Sequence, residues 1–152
     1  LADLSGDFLV RSLEALTRRP GTRTPQDEEG ASYAPKIDPA MTRIDWGRPA
    51  GAVSAQIRAL DPAPGARTVL GEQTLKLFGA HPAGSGGDAR PGRVLEAGDR
   101  LVVQTGDGRV AVREIQTPGR RRMPVPEFLR GFPLGVGSRL GAESTQDRAG
   151  SP

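Results

Sequence analysis

The sequence predicts a mainly β protein with short helices, built as a small antiparallel barrel preceded by one helix. Three observations predict it. Between Arg67 and Gln116, five short runs rich in Val, Leu, Ile and Thr succeed one another, with glycines at most of their ends. Helical spacing of apolar residues is confined to the opening segment and one short stretch after Pro49. The 152 residues include 21 glycines and 14 prolines with only 36% hydrophobic residues, so much of the length goes to turns, connectors and tails. One domain of about 100 residues with extensions on both sides accounts for this composition.

Leu4, Phe8, Leu9, Leu13 and Leu16 recur at helical spacing, with Asp3 and Asp7 near the start and Arg18 and Arg19 at the end, where they suit the helix dipole. This predicts a helix over residues 1–19, ended by Pro20. Its apolar stripe has no partner helix nearby in sequence. Because Leu1 rather than Met stands first, and no strand or cap precedes the helix, the chain is expected to continue a longer protein.

Residues 20–36 form a connector, since three prolines, two glycines and the Asp27-Glu28-Glu29 run carry no apolar periodicity. Tyr33, Ile37, Ile44 and Trp46 then supply large side chains able to dock the connector on the domain after it. Pro49 at a first helical turn, followed by Val53, Ile57 and Leu60, predicts a short amphipathic helix that stops at Asp61-Pro62.

The predicted strands run over 67–70, 74–78, 93–97, 100–105 and 109–116. Gly71 and the Gly106-Asp107-Gly108 turn provide the backbone freedom that tight hairpins need. Alternation at Val110, Val112 and Ile115 buries one face, and Lys76, between Leu75 and Leu77, points away from the core. Residues 79–92 read as a long flexible hairpin loop, and 126–130 as a last helical turn stopped by Gly131. The domain is expected over 37–140, with a disordered tail over 141–152.

The chain has no cysteine, which excludes disulfide scaffolds, thiolate metal sites and thiol nucleophiles. No apolar run approaches the roughly 20 residues that span a bilayer, and no secretory leader pattern is present, so a cytoplasmic protein is expected. The single histidine, His81, lies in a glycine-rich segment without a second ligand or a triad partner. Gly84 to Gly87 lack the Lys-Ser or Lys-Thr of a phosphate loop. No catalytic, cofactor-binding or metal-binding residue is predicted.

Charge is uneven. Residues 1–30 hold four arginines against six carboxylates, whereas residues 31–140 hold sixteen basic against ten acidic side chains. The surplus suits an anionic partner such as nucleic acid, and solubility alone would also explain it. The candidate contact is Arg120-Arg121-Arg122 after Pro118-Gly119, where a turn would project three guanidinium forks matched to phosphate. A solvated turn in a chain with 19 arginines and two lysines is the other reading. Lys36, Arg58, Arg67 and Lys76 could extend the surface. Trp46 and Tyr33 read as docking anchors more readily than as base-stacking platforms.

Ser32-Tyr-Ala-Pro-Lys-Ile37, Arg43-Ile-Asp-Trp-Gly-Arg-Pro49, Gln56-Ile-Arg-Ala-Leu60, Pro62-Ala-Pro-Gly65 and Leu75-Lys-Leu77 form an ordered series, continued by Gly106-Asp-Gly108, Glu114-Ile-Gln116, Gly119-Arg-Arg-Arg-Met123 and Glu127-Phe-Leu-Arg-Gly131. Over residues 1–140 the chain resembles the linker and C-terminal domain of the methionyl-tRNA formyltransferases. The resemblance implies that the opening helix is the last one of an α/β catalytic domain, and that an OB-like barrel presents a basic surface to initiator methionyl-tRNA. It implies a monomeric parent enzyme that takes its formyl group from 10-formyltetrahydrofolate, with no cofactor held by this chain. The family's catalytic Asn, His and Asp have no counterparts here, because the chain contains no Asn and His81 matches no such motif.

Two departures stand out. Where the family often has Asn-Pro-Trp-Pro, this chain has Asp61-Pro-Ala-Pro64, which removes an aromatic ring and adds a negative charge. The family's Gly-Lys-Lys-Arg-Met appears as Gly119-Arg-Arg-Arg-Met123. Two alternatives remain at the level of sequence: the structural C-terminal domain of a sugar-amine or folate formyltransferase, and a stand-alone OB-like nucleic-acid binder. The basic block favours the tRNA enzyme over the first. The shortage of aromatics among the strands disfavours the second.

Overall fold

A computed structural model describes residues 2–18, 21, 24, 25, 27 and 29–141. The tail predicted beyond Gly141 lies outside the described residues. The chain divides into two compact units, one up to Pro35 and one from Lys36.

In the first unit, α1 (Ala2–Arg18) carries its apolar residues at the predicted spacing, and Leu4, Phe8, Leu9, Leu13 and Leu16 are all exposed. The Ser12 hydroxyl donates to the Phe8 carbonyl at 2.7 Å, a back-bond that keeps this polar group within the helix.

The second unit is mainly β. A 3-10 turn, Pro39–Thr42, is capped by Asp38, whose Oδ1 accepts the Ala40 amide at 2.7 Å. Next comes α2 (Ala50–Ala59), which opens after Pro49 and buries Val53, Ser54 and Ile57 along one face. The strands are β1 (Ala66–Leu70), β2 (Gln73–Phe78), β3 (His81–Pro82), β4 (Val94–Ala97), β5 (Leu101–Gln104), β6 (Arg109–Val112), β7 (Glu114–Gln116) and β8 (Met123–Pro124), and α3 (Val125–Leu129) follows.

Two four-stranded antiparallel sheets form, in the orders β1-β2-β7-β8 and β3-β6-β5-β4. Their topology follows from two bends. The run predicted as one strand over 109–116 is split at Arg113, with β6 in one sheet and β7 in the other. Its partner is split at Gly79, where φ is +63°, so that Phe78 faces Glu114 in one sheet and His81 faces Ala111 in the other. A pair of bent strands therefore serves both sheets, as in a barrel corner.

The open edges are covered from both ends of the unit. The Ile44 amide donates to the Arg67 carbonyl at 2.8 Å. Between β1 and β4, the Gly141 amide donates to Val69 and the Gly137 amide to Val94, at 2.8 and 2.9 Å. These bonds satisfy edge groups that would otherwise template pairing with another chain. Trp46, Val53, Ile57, Leu75, Leu77, Leu101, Val103, Val110, Val112 and Ile115 meet in a single buried core with Val125 and Phe128.

The segment expected as a flexible loop is tied down in two places. The short β3 pairs with β6, extended by the Ala83 amide donating to the Arg109 carbonyl at 2.8 Å, and the buried Gln104 Nε2, donating to the carbonyls of Thr105 and Gly108 at 3.1 and 3.0 Å, also faces the segment. A longer bond from the same atom, 3.5 Å, reaches Gly86. Two residues of β3 are too few for alternation to reveal, so the sequence pattern showed only glycines there.

Candidate nucleic-acid interface

The sheet β1-β2-β7-β8 turns Leu75, Leu77 and Ile115 into the core, so the residues between them face outward. Its register sets Arg67, Lys76 and Gln116 side by side in one row. The next row holds Phe78 opposite Glu114. Phe78 faces outward yet is only 1% exposed, because the Arg122 guanidinium lies over its ring, 4.2 Å from the centroid.

Arg122 is held from two further sides. Its Nη1 and Nη2 donate to Asp61 Oδ1 and Oδ2 at 2.6 and 3.2 Å, while Nε donates to Glu114 Oε2 at 2.9 Å. Nη2 makes an additional short contact with the same Glu114 oxygen. Partial burial acts to lower the guanidinium pKa, but the hydrogen bonds and charges of Asp61 and Glu114 outweigh it and raise the pKa above its ordinary value. Asp61 also accepts the Gly79 amide at 3.3 Å. The extra negative charge of the Asp61–Gly65 turn is thus neutralised by Arg122, and the turn is fastened to both β2 and β7.

The predicted cluster of three projecting guanidinium groups therefore divides. Arg121 is exposed and pairs with Glu127 on α3. Arg120 is exposed in the turn between β7 and β8, and its carbonyl accepts a bond from Gln116 Nε2 at 2.8 Å. Its side chain borders a cleft of about 310 Å³ with Met123, Phe128 and Phe132.

Arg67 is half-buried, with Nε donating to Thr42 Oγ1 at 2.8 Å and Nη2 to the Pro39 carbonyl at 3.1 Å. Arg58 is an exposed α2 residue whose Nη1 donates to Ser54 Oγ at 2.9 Å. Lys36 is exposed in the segment before the 3-10 turn. Lys76 makes no side-chain hydrogen bond among the described residues. The fold thus brings Arg67, Lys76, Arg120 and Arg122 to one sheet, and leaves Arg58 and Lys36 on other segments.

The sequence reading did not select Arg93 and Arg139. They face each other across an isolated antiparallel bridge, and both are exposed. They lie 46 positions apart, so no local pattern announces the pair.

Residues 36–133 match the family model described as formyl transferase, C-terminal domain. The chain is 40% identical over 142 residues to methionyl-tRNA formyltransferase of Moorella thermoacetica, covering 93% of this chain and 46% of that protein. Against methionyl-tRNA formyltransferase of Variovorax paradoxus it is 42% identical over 143 residues, covering 93% and 44%. Among solved structures, HypX from Aquifex aeolicus in complex with tetrahydrofolic acid is similar with a TM-score of 0.64 and 26% identity, over 90% of this chain and 24% of that one. The chain spans somewhat less than half the length of the curated relatives it matches. On the match of residues 36–133 and the identity to these relatives, the chain belongs to the formyl transferase C-terminal domain family.

Proposed function

We propose that this chain is the tRNA-binding C-terminal part of a methionyl-tRNA formyltransferase. The observation that carries the reading is the basic surplus of the β domain, set beside 40–42% identity to methionyl-tRNA formyltransferases. Lys76, on the outer sheet face, and Arg120, in the turn between β7 and β8, are cations without carboxylate partners among the described residues. Arg67, Arg58 and Lys36 add positive charge around them. Arg122 shapes the surface from within, through Asp61 and Phe78.

The parent enzyme, monomeric and cytoplasmic, would transfer a formyl group from 10-formyltetrahydrofolate to the amine of initiator methionyl-tRNA. The chemistry and the folate would belong to an upstream catalytic domain of which α1 is the last helix, residues 20–36 being the linker. This chain would hold the tRNA by its phosphates and so place the acceptor end. Positioning of that kind removes entropy from the barrier rather than touching the reacting atoms.

A fluorescence-anisotropy titration of the purified chain with initiator tRNA, repeated at several salt concentrations, tests the reading. Binding that weakens steeply with salt is expected. A folded chain that leaves the tRNA anisotropy unchanged at low salt would overturn it. That result would favour a structural domain of a folate-dependent formyltransferase, the reading suggested by the likeness to HypX with its bound tetrahydrofolic acid.

A further inference from the structure

We propose that an RNA phosphate seats between Arg93 and Arg139, beside a groove that Arg139 borders, on a part of the β domain distinct from the turn at residues 120–122. The inference rests on the tRNA reading and assigns it a second contact surface.

Two adjoining hollows of about 470 and 240 Å³ share Ala40, Arg43, Ile44 and Gly141 as walls. Arg139 borders one and Arg67 the other, with Arg43 between them. Among the described lining residues Asp45 is the sole carboxylate, and its Oδ1 already accepts the Gly47 amide at 2.9 Å. The groove is therefore electropositive along its length.

At its Arg139 end the groove meets Arg93, the bridge partner of Arg139. Paired residues of an antiparallel bridge send their side chains to the same side, with Cβ atoms about 5 Å apart. The Arg93 guanidinium reaches back beside Gly137, which presents no side chain against it. Neither arginine has an ion pair or a side-chain hydrogen bond among the described residues. Like charges set directly opposite repel. A phosphate between them removes the repulsion and meets two forks matched to its oxygens. Arg121 and Arg122 differ, because phosphate binding there would first have to displace Glu127, Glu114 or Asp61.

The groove is also built before any ligand arrives. Trp46 Nε1 donates to Thr68 Oγ1 at 3.0 Å, and the Trp46 carbonyl accepts the Gly106 amide at 2.9 Å. A Cβ at Gly92 would stand 2.3 Å from the Leu140 carbonyl oxygen, and one at Gly141 would stand 2.9 Å from Trp46 Cδ1. Walls fixed this closely leave little ordering to be done on binding.

The test compares the unmodified chain with the double variant Arg93→Gln/Arg139→Gln and with Arg121→Gln, each titrated with initiator tRNA at several salt concentrations after a thermal melt confirms folding. The double variant is expected to lose about 0.7–0.9 log units of affinity per log unit of salt from the slope, and Arg121→Gln to leave it nearly unchanged. Arg139→Gln alone, a single change at an exposed position, should weaken binding less than the pair, because Arg93 still faces the phosphate. An unaltered slope in a folded double variant, while the unmodified chain binds, overturns the groove assignment and leaves the tRNA reading standing. Absence of salt-sensitive binding by the unmodified chain overturns both.

Discussion

Arg122 shows how one side chain can look like a ligand contact in sequence and act as a clamp in the fold. Its guanidinium joins the Asp61 turn, the β7 residue Glu114 and the ring of Phe78, segments separated by up to 61 positions. Arg122→Ala removes these bonds and leaves two carboxylates facing each other over an uncovered ring. The side chain is 31% exposed, so solvent screens part of the loss, and a destabilisation of about 1–2 kcal/mol is expected in urea unfolding. Arg122→Lys should recover only part of it, since an ammonium cannot fork to Asp61 and Glu114 together. The raised guanidinium pKa has a defined sign: its stabilisation is fully present below the unfolded value and is lost only as pH rises through the higher folded value. The Arg122→Ala deficit should therefore persist through the alkaline range near pH 9 instead of vanishing there. An unfolding midpoint unchanged by Arg122→Ala would remove the clamp. The run of three arginines was legible as charge, but its division was not, because the carboxylates that claim Arg121 and Arg122 are named only by the tertiary fold.

At the scale of elements, the strands were legible wherever alternation extended over several residues, as in β2 with Leu75 and Leu77 buried around Lys76. The bend at Arg113 was not. Arg113 interrupts the alternation for a single position, and nothing local shows that the residues on its two sides join different sheets. The hairpin glycines were read as turn formers, and for Gly71 that is sufficient: φ is +60° and a Cβ would meet open space. Gly106 has a different reason to be glycine. A Cβ there would stand 1.9 Å from the Gly47 carbonyl oxygen, where the β5–β6 hairpin packs on the loop before α2, and the Gly106 amide donates to Trp46 and Arg48. Gly106→Ala should push that loop away, breaking both bonds and disturbing the seat of Trp46. A fall in melting temperature of more than about 10 °C is expected, against about 5 °C for the strain of Gly71→Ala. Equal shifts for the two variants would mean that the close approach at Gly106 does not hold the loop.

At the scale of the whole molecule, the chain joins two units of unlike character. The first has an acidic balance and a helix with exposed apolar residues; the second carries the basic surplus and the buried core. Motif order alone pointed to the family, because short motifs survive where pairwise contacts cannot be read. The paired arginines of the groove stayed hidden, because a bridge between residues 93 and 139 leaves no local trace. The division into units makes a claim about stability. Every residue of the core cluster lies between Ile44 and Leu140. In proteins a helix draws most of its stability from packing its apolar face, and the apolar side chains of α1 are exposed. A chain beginning at Lys36 should therefore melt in one cooperative transition within about 3 °C of the full chain, and keep the same salt dependence of tRNA binding. Melting that falls by about 10 °C or loses cooperativity would show that the first unit supports the core. A preserved melt with weakened binding would instead place part of the RNA contact upstream of Lys36, where only Arg11, Arg18, Arg19 and Arg23 offer positive side chains.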